Sequence, residues 1–176
     1  MHLDCLLFRG VTDPELRVTF FADYNPDGKF ASIVAHPDRY KVYPSFCIKV
    51  SRSFEQYIFI KSTRYFSFVS ALKRSVKLIS DNIYDLFPDM DKTEFEVDSR
   101  LMSIYQTEKA VASGGFVLSP CKWVNQTEEC FPGVKIYSTD TGEFKIPFED
   151  AVLMVEMLSS FDPINMYMNM IQTFIK

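Results

Sequence analysis

The feature that most constrains this chain is a phrase that occurs twice. Residues 43–50 read YPSFCIKV and residues 131–138 read FPGVKIYS. Both run aromatic, Pro, small residue, apolar, any residue, Ile. The offset is 88 residues in a chain of 176, so each half holds one copy. The similarity extends outward. Gly28-Lys29-Phe30-Ala31 resembles Gly114-Gly115-Phe116-Val117, and Tyr57-Ile58-Phe59-Ile60 resembles Phe144-Lys145-Ile146-Pro147. A repeat of layout at this spacing implies one supersecondary unit used twice.

Hydrophobic period says what that unit is. In the first half the even positions Leu16, Val18, Phe20 and Ala22 are apolar and alternate with Arg17, Thr19 and Phe21, the pattern of a half-buried strand. Asn25-Pro26-Asp27-Gly28 is a turn, and residues 30–35 can return as a strand. From Arg39 one face carries Tyr40, Val42, Phe46, Ile48 and Val50. The other carries Arg39, Lys41, Tyr43, Cys47 and Lys49. Phe54, Ile58 and Ile60 then oppose Tyr57, Phe59 and Lys61. After Ser62-Thr63 the period becomes helical. Val69, Leu72, Val76, Ile79, Ile83 and Leu86 recur in steps of three and four until Pro88 stops the helix.

The second half follows the same order. Residues 94–105, 110–118 and 121–124 are predicted strands, and Val134 and Ile136 alternate with Lys135 and Tyr137. Thr139-Asp140-Thr141-Gly142 is a hairpin signal. Pro147-Phe148-Glu149-Asp150 starts a helix with a stripe of Phe148, Val152, Val155 and Leu158. Asp162-Pro163 starts another, with Ile164, Met168, Ile171 and Ile175 on one face. The expected fold class is α+β: two tandem ββββα units, residues 1–88 and 89–176. Their antiparallel sheets would pack with the helices about a pseudo-twofold axis as one intertwined domain. A lone four-stranded sheet with one helix would leave a face and two edges uncovered.

Catalytic signatures are missing from the sequence. There is no phosphate-cradling Gly-rich loop and no Gly-x-Ser-x-Gly elbow, and two histidines leave little room for acid–base work. Cys5, Cys47, Cys121 and Cys130 form no Cys-x-x-Cys pair and have no histidine at zinc spacing, so free thiols are expected. Glu94, Glu96 and Asp98, with Asp89 and Asp91, are expected to be solvated rather than metal-binding. The expectation is a protein that is not an enzyme and needs no metal or cofactor. The opening MHLDCLLFRG lacks the basic start and long apolar run of a signal peptide, and no stretch is long enough to span a membrane. A cytoplasmic or nuclear location without membrane contact is expected.

Charge is distributed unevenly. Residues 1–88 hold 12 Lys+Arg against 9 Asp+Glu, while residues 89–176 hold 7 against 14. Residues 39–77 hold nine basic residues and one acid, Glu55. Strand parity puts Arg39, Lys41, Tyr43, Lys49, Tyr57, Phe59 and Lys61 on outward faces, with Arg52 in the turn between strands. Single-stranded nucleic acid requires this mixture, since cations track phosphates and flat rings stack unpaired bases. The competing expectation is a protein-interaction or assembly module that buries the same rings against a partner. Met154, Met157, Met166, Met168 and Met170 on the last helices point toward a homo-oligomer.

Tandem strand-strand-strand-strand-helix units with a basic, aromatic sheet face resemble one superfamily. It contains the plant Whirly proteins, the mitochondrial guide-RNA-binding proteins and the transcriptional coactivator positive cofactor four. Residues 142–151, GEFKIPFEDA, look like the coactivator family's passage from last strand into helix. The Lys-Gly-Lys-Ala-Ala-Leu signature of the Whirly proteins is absent. The resemblance implies binding of single-stranded DNA or RNA, DNA foremost, in replication, recombination or transcription. It implies contacts from Lys41, Tyr43, Lys49, Tyr57 and Lys61 in the first half and from Lys135, Tyr137 and Lys145 in the second.

Overall fold

The computed structural model describes residues 2–23, 46–53, 55–90, 112–113, 116–138 and 142–175. The expected strand at 30–35, the predicted strand at 94–105 with its acidic face, and Arg39, Lys41 and Tyr43 lie outside the described residues.

The class is α+β, with two antiparallel sheets and helices. The first sheet is a meander of β1 (His2–Arg9), β2 (Arg17–Asp23), β3 (Phe46–Ser51) and β4 (Tyr57–Lys61). A 3-10 turn over Ser62–Arg64 leads into α1 (Tyr65–Asp81) and a short α2 (Ile83–Leu86). The second sheet is β5 (Ala112–Ser113), β6 (Phe116–Val124), β7 (Cys130–Ser138) and β8 (Gly142–Pro147), followed by α3 (Phe148–Ser160) and α4 (Pro163–Ile175). Residues 46–50 of the first repeated phrase and all of the second fall on the third strand of their sheets.

Alternation fixes which face is inside. Leu16, Val18, Phe20, Ala22, Ile48, Val50, Ile58 and Ile60 are all fully buried, as the period-two pattern requires. Each large side chain among them contributes about 1.5–3 kcal/mol. Leu118, Val134, Ile136, Phe144 and Ile146 do the same for the second sheet.

The two halves share this core. Phe68 of α1 meets Phe116 of β6 edge-on, with centroids 5.3 Å apart. Phe161, between α3 and α4, reaches back to Phe20 at 5.7 Å and Tyr65 at 6.5 Å. The Tyr65 hydroxyl donates to the Leu158 carbonyl at 3.0 Å. Burial, helped by the charge of Asp162, pushes that hydroxyl up to about 12.

A polar latch completes the join. Asp150, in the first turn of α3, is fully buried. Its carboxylate accepts from the backbone N–H groups of Val11 (2.8 Å), Thr12 (3.0 Å) and Asp13 (2.8 Å) in the β1–β2 turn. Three donors offset the desolvation of one carboxylate. Gly10 makes the close approach possible, since a Cβ there would lie 2.1 Å from the Asp13 carbonyl and 2.8 Å from Asp150 Oδ2.

Several elements differ from the sequence expectations. β1 has no clean alternation because a register shift between Leu6 and Phe8 inserts an extra residue. Residues 116–124 form one strand rather than two. Pro120 lies within that strand, opposite Val134 of β7. The long helix breaks at Asn82, and its buried stripe is Tyr65, Phe68, Leu72, Ser75 and Ile79. Val69 and Val76 sit at the edge of that stripe. In α3 the inward residue is Met154 rather than Val155, and in α4 Tyr167 is buried while Ile164 is exposed.

Candidate nucleic-acid interface

The outward face of the first sheet can be laid out from its register. One row across the strands is Asp4, Phe21, Cys47 and Lys61. The next is Leu6, Thr19, Lys49 and Phe59. The third is Arg9, Arg17, Ser51 and Tyr57. A fourth pair of the same parity, His2 and Asp23, continues the face between β1 and β2. Among the described residues this face therefore carries four Lys or Arg residues and two acids, Asp4 and Asp23. Every outward position on β4 is exposed, with Tyr57 at 37% and Phe59 at 42%.

Lys49 is the centre of the arrangement. Its ammonium lies 5.0 Å from the centroid of Tyr57 and 5.6 Å from that of Phe59. The rings meet edge-on at 5.1 Å. Both distances are within cation–π range, so the rings hold the ammonium on this face, and among the described residues no acid forms an ion pair with it. Rings and cation are then preorganised beside each other, as a base and its phosphate require.

Arg9 and Arg17 extend this cationic face and were not among the residues singled out from sequence. Their signal was available for Arg17, which alternates with the buried Leu16 and Val18. For Arg9 the register shift in β1 hid it.

Arg52 has a different place. Its Nε donates to Asp13 Oδ2 at 2.5 Å, and its Nη2 donates to the Lys145 carbonyl at 2.6 Å. The guanidinium lies 4.9 Å from the Phe144 centroid, and its side chain is 18% exposed. It fastens the β3–β4 turn to the second sheet instead of joining the open face.

The second sheet arranges its residues differently. Lys135, Tyr137 and Lys145 share a face with Val117, Ser119, Cys121 and Trp123 of β6. Ser119, Cys121 and Trp123 are buried, and Lys135 makes a 3.5 Å ion pair with Glu143. Burial pushes the Cys121 thiol up to about 12, against the opposing pull of Lys145 and Lys135. Tyr137 and Lys145 remain exposed.

All four cysteines are reduced, and among the described residues no group of three or more potential metal ligands occurs. No described helix is long and apolar enough to cross a membrane. No protein-family model matches the chain, and neither a curated protein nor a solved structure shows a significant match to it.

Proposed function

We propose that this protein is a non-enzymatic binder of single-stranded nucleic acid, DNA before RNA, that works in replication, recombination or transcription. The strand lies across the open face of the first sheet. Bases stack on Tyr57 and Phe59, and phosphates follow Lys49, Lys61, Arg9 and Arg17. The observation that carries the reading is Lys49 held between two exposed rings on a sheet face where, among the described residues, four Lys or Arg residues outnumber two acids. Stacking contributes about 1–3 kcal/mol per base without sequence preference. The fold reading belongs to the same proposal: each half is one ββββα unit, the two are related by a pseudo-twofold axis, and copies of the chain assemble into a homo-oligomer.

The test is fluorescence anisotropy with labelled oligothymidylate and oligouridylate over a range of salt. Affinity should fall with salt by about 0.7 log units per log unit of salt for each phosphate contact. No binding to either strand at low salt rejects the proposal. One observation favours a protein partner instead. Leu6 is 49% exposed at the opposite end of the row that carries Phe59, so apolar side chains stand on both outer strands where a partner surface could cover them. An oligomer whose sedimentation is unchanged by excess oligonucleotide would support that reading.

A further inference from the structure

A cleft between the two halves is left unused by the sheet face. Its volume is about 610 Å³, the size of a small-ligand site. Residues 12–15, Arg52 and Gln56 form one wall, and Trp123, the β6–β7 turn and Lys145 form the other. Arg52, Lys122 and Lys145 line it against the acids Asp13 and Glu15. Both acids are engaged: Asp13 by Arg52, and Glu15 by the Gln126 amide at 3.1 Å. Arg52 and Asp13 offset each other, and Lys122 and Lys145 then stand against Glu15, an excess of one positive charge that suits an anion. Trp123 adds an apolar wall and Gln56 an amide, so the anion that fits also carries a flat, hydrogen-bonding ring.

The cleft adjoins the end of the open face. Arg9 and Arg17 are the last pair between β1 and β2, and the turn joining them carries the lining residues 12–15. Ser51 and Tyr57 are the last pair between β3 and β4, and the turn joining them carries Arg52 and Gln56. One whole row of the face thus runs directly into the cleft wall.

We propose that the cleft holds the terminal nucleotide of a single strand whose body lies on the first sheet, its phosphate against Lys145 and its base against Trp123. This inference rests on the nucleic-acid reading of that face. Trp123 is the only tryptophan, so its emission reports on the cleft alone. The experiment compares terminally phosphorylated linear oligothymidylate with a circular single strand of the same composition. Both should bind. Only the linear strand should change Trp123 emission, and it should bind about tenfold more tightly, a preference that Lys145→Ala should collapse. If both bind equally and Trp123 emission is unchanged, the cleft inference falls and the sheet-face reading stands. If the circle changes the emission as strongly as the linear strand, the strand passes through the cleft, and terminal recognition is wrong. If neither binds, both readings fall together.

Discussion

The outward faces of the two sheets are built from similar strands and come out chemically unlike. On the first, Lys49 sits between Tyr57 and Phe59, and among the described residues no acid forms an ion pair with it. On the second, the corresponding strand offers Lys135, and Glu143 holds it at 3.5 Å. At the centre of the first face a half-buried Lys49 lies beside the exposed Phe59; the corresponding side of β6 is the buried run Ser119, Cys121 and Trp123. A cation bracketed by rings keeps its charge available to a ligand. A cation paired to a carboxylate has that charge offset before any ligand arrives. The difference teaches that a shared strand layout does not carry a shared surface, because outward positions are not constrained by the core.

The comparison can be broken most decisively at the rings. Tyr57→Ala with Phe59→Ala should weaken oligonucleotide binding by roughly 4 kcal/mol, whereas Tyr137→Ala should change it by less than ~0.5 kcal/mol, both read by anisotropy. Equal losses would erase the asymmetry. Arg52→Ala should act on stability instead. It strands the buried Asp13 carboxylate and should cost about 3 kcal/mol in urea denaturation, while Lys135→Ala, which leaves a half-exposed Glu143, should stay within ~0.5 kcal/mol. An Arg52→Ala protein of native stability and lost binding would return that residue to the interface.

Lys49→Ala should lower the salt slope by about 0.7 and weaken binding by roughly 1 kcal/mol, and Lys135→Ala should leave the slope unchanged. The smallest effect is at the thiols. Cys47 lies on the first face and Cys121 on the second, buried. At pH 8 a thiol reagent should modify Cys47 in the folded protein, with bound oligonucleotide slowing the reaction, and should spare Cys121. Because the folded pKa of Cys121 is raised from 9.0 to about 12, the unfolded chain loses that proton first. Its contribution is complete below pH 9 and is lost as pH rises toward 12, so stability should fall across that window. Rapid modification of Cys121 at pH 8 would show that the second face is open after all.

Much of the first face was legible before the structure. Alternation in β2, β3 and β4 sorts Val18, Phe20, Ile48, Val50, Ile58 and Ile60 inward and Lys49, Tyr57, Phe59 and Lys61 outward, and the burial follows it without exception. Helix starts at Phe148 and Pro163 were equally legible, since Pro and acidic residues mark them locally. β1 was not, because one inserted residue near Leu6 reverses the parity on which such a reading depends. The partners of Arg52 were not legible either, because charge in a turn has no parity at all. Its partners Asp13 and Lys145 lie 39 and 93 residues away.

Sequence alone determined what is local here: the strand faces, the helix starts, the recurring phrase and the concentration of positive charge in the first half. These depend on periods of two and 3.6 residues, which a side chain's own neighbours set. Tertiary structure decided the rest. It chose which lysine stands between rings and which is paired with an acid. It aimed Asp150 at three N–H groups of a turn 137–139 residues away, and it closed a cleft from two halves. The physical reason is that polar satisfaction and electrostatic pairing are settled by whichever groups the packed core brings within about 3 Å, and local periodicity does not encode those distances.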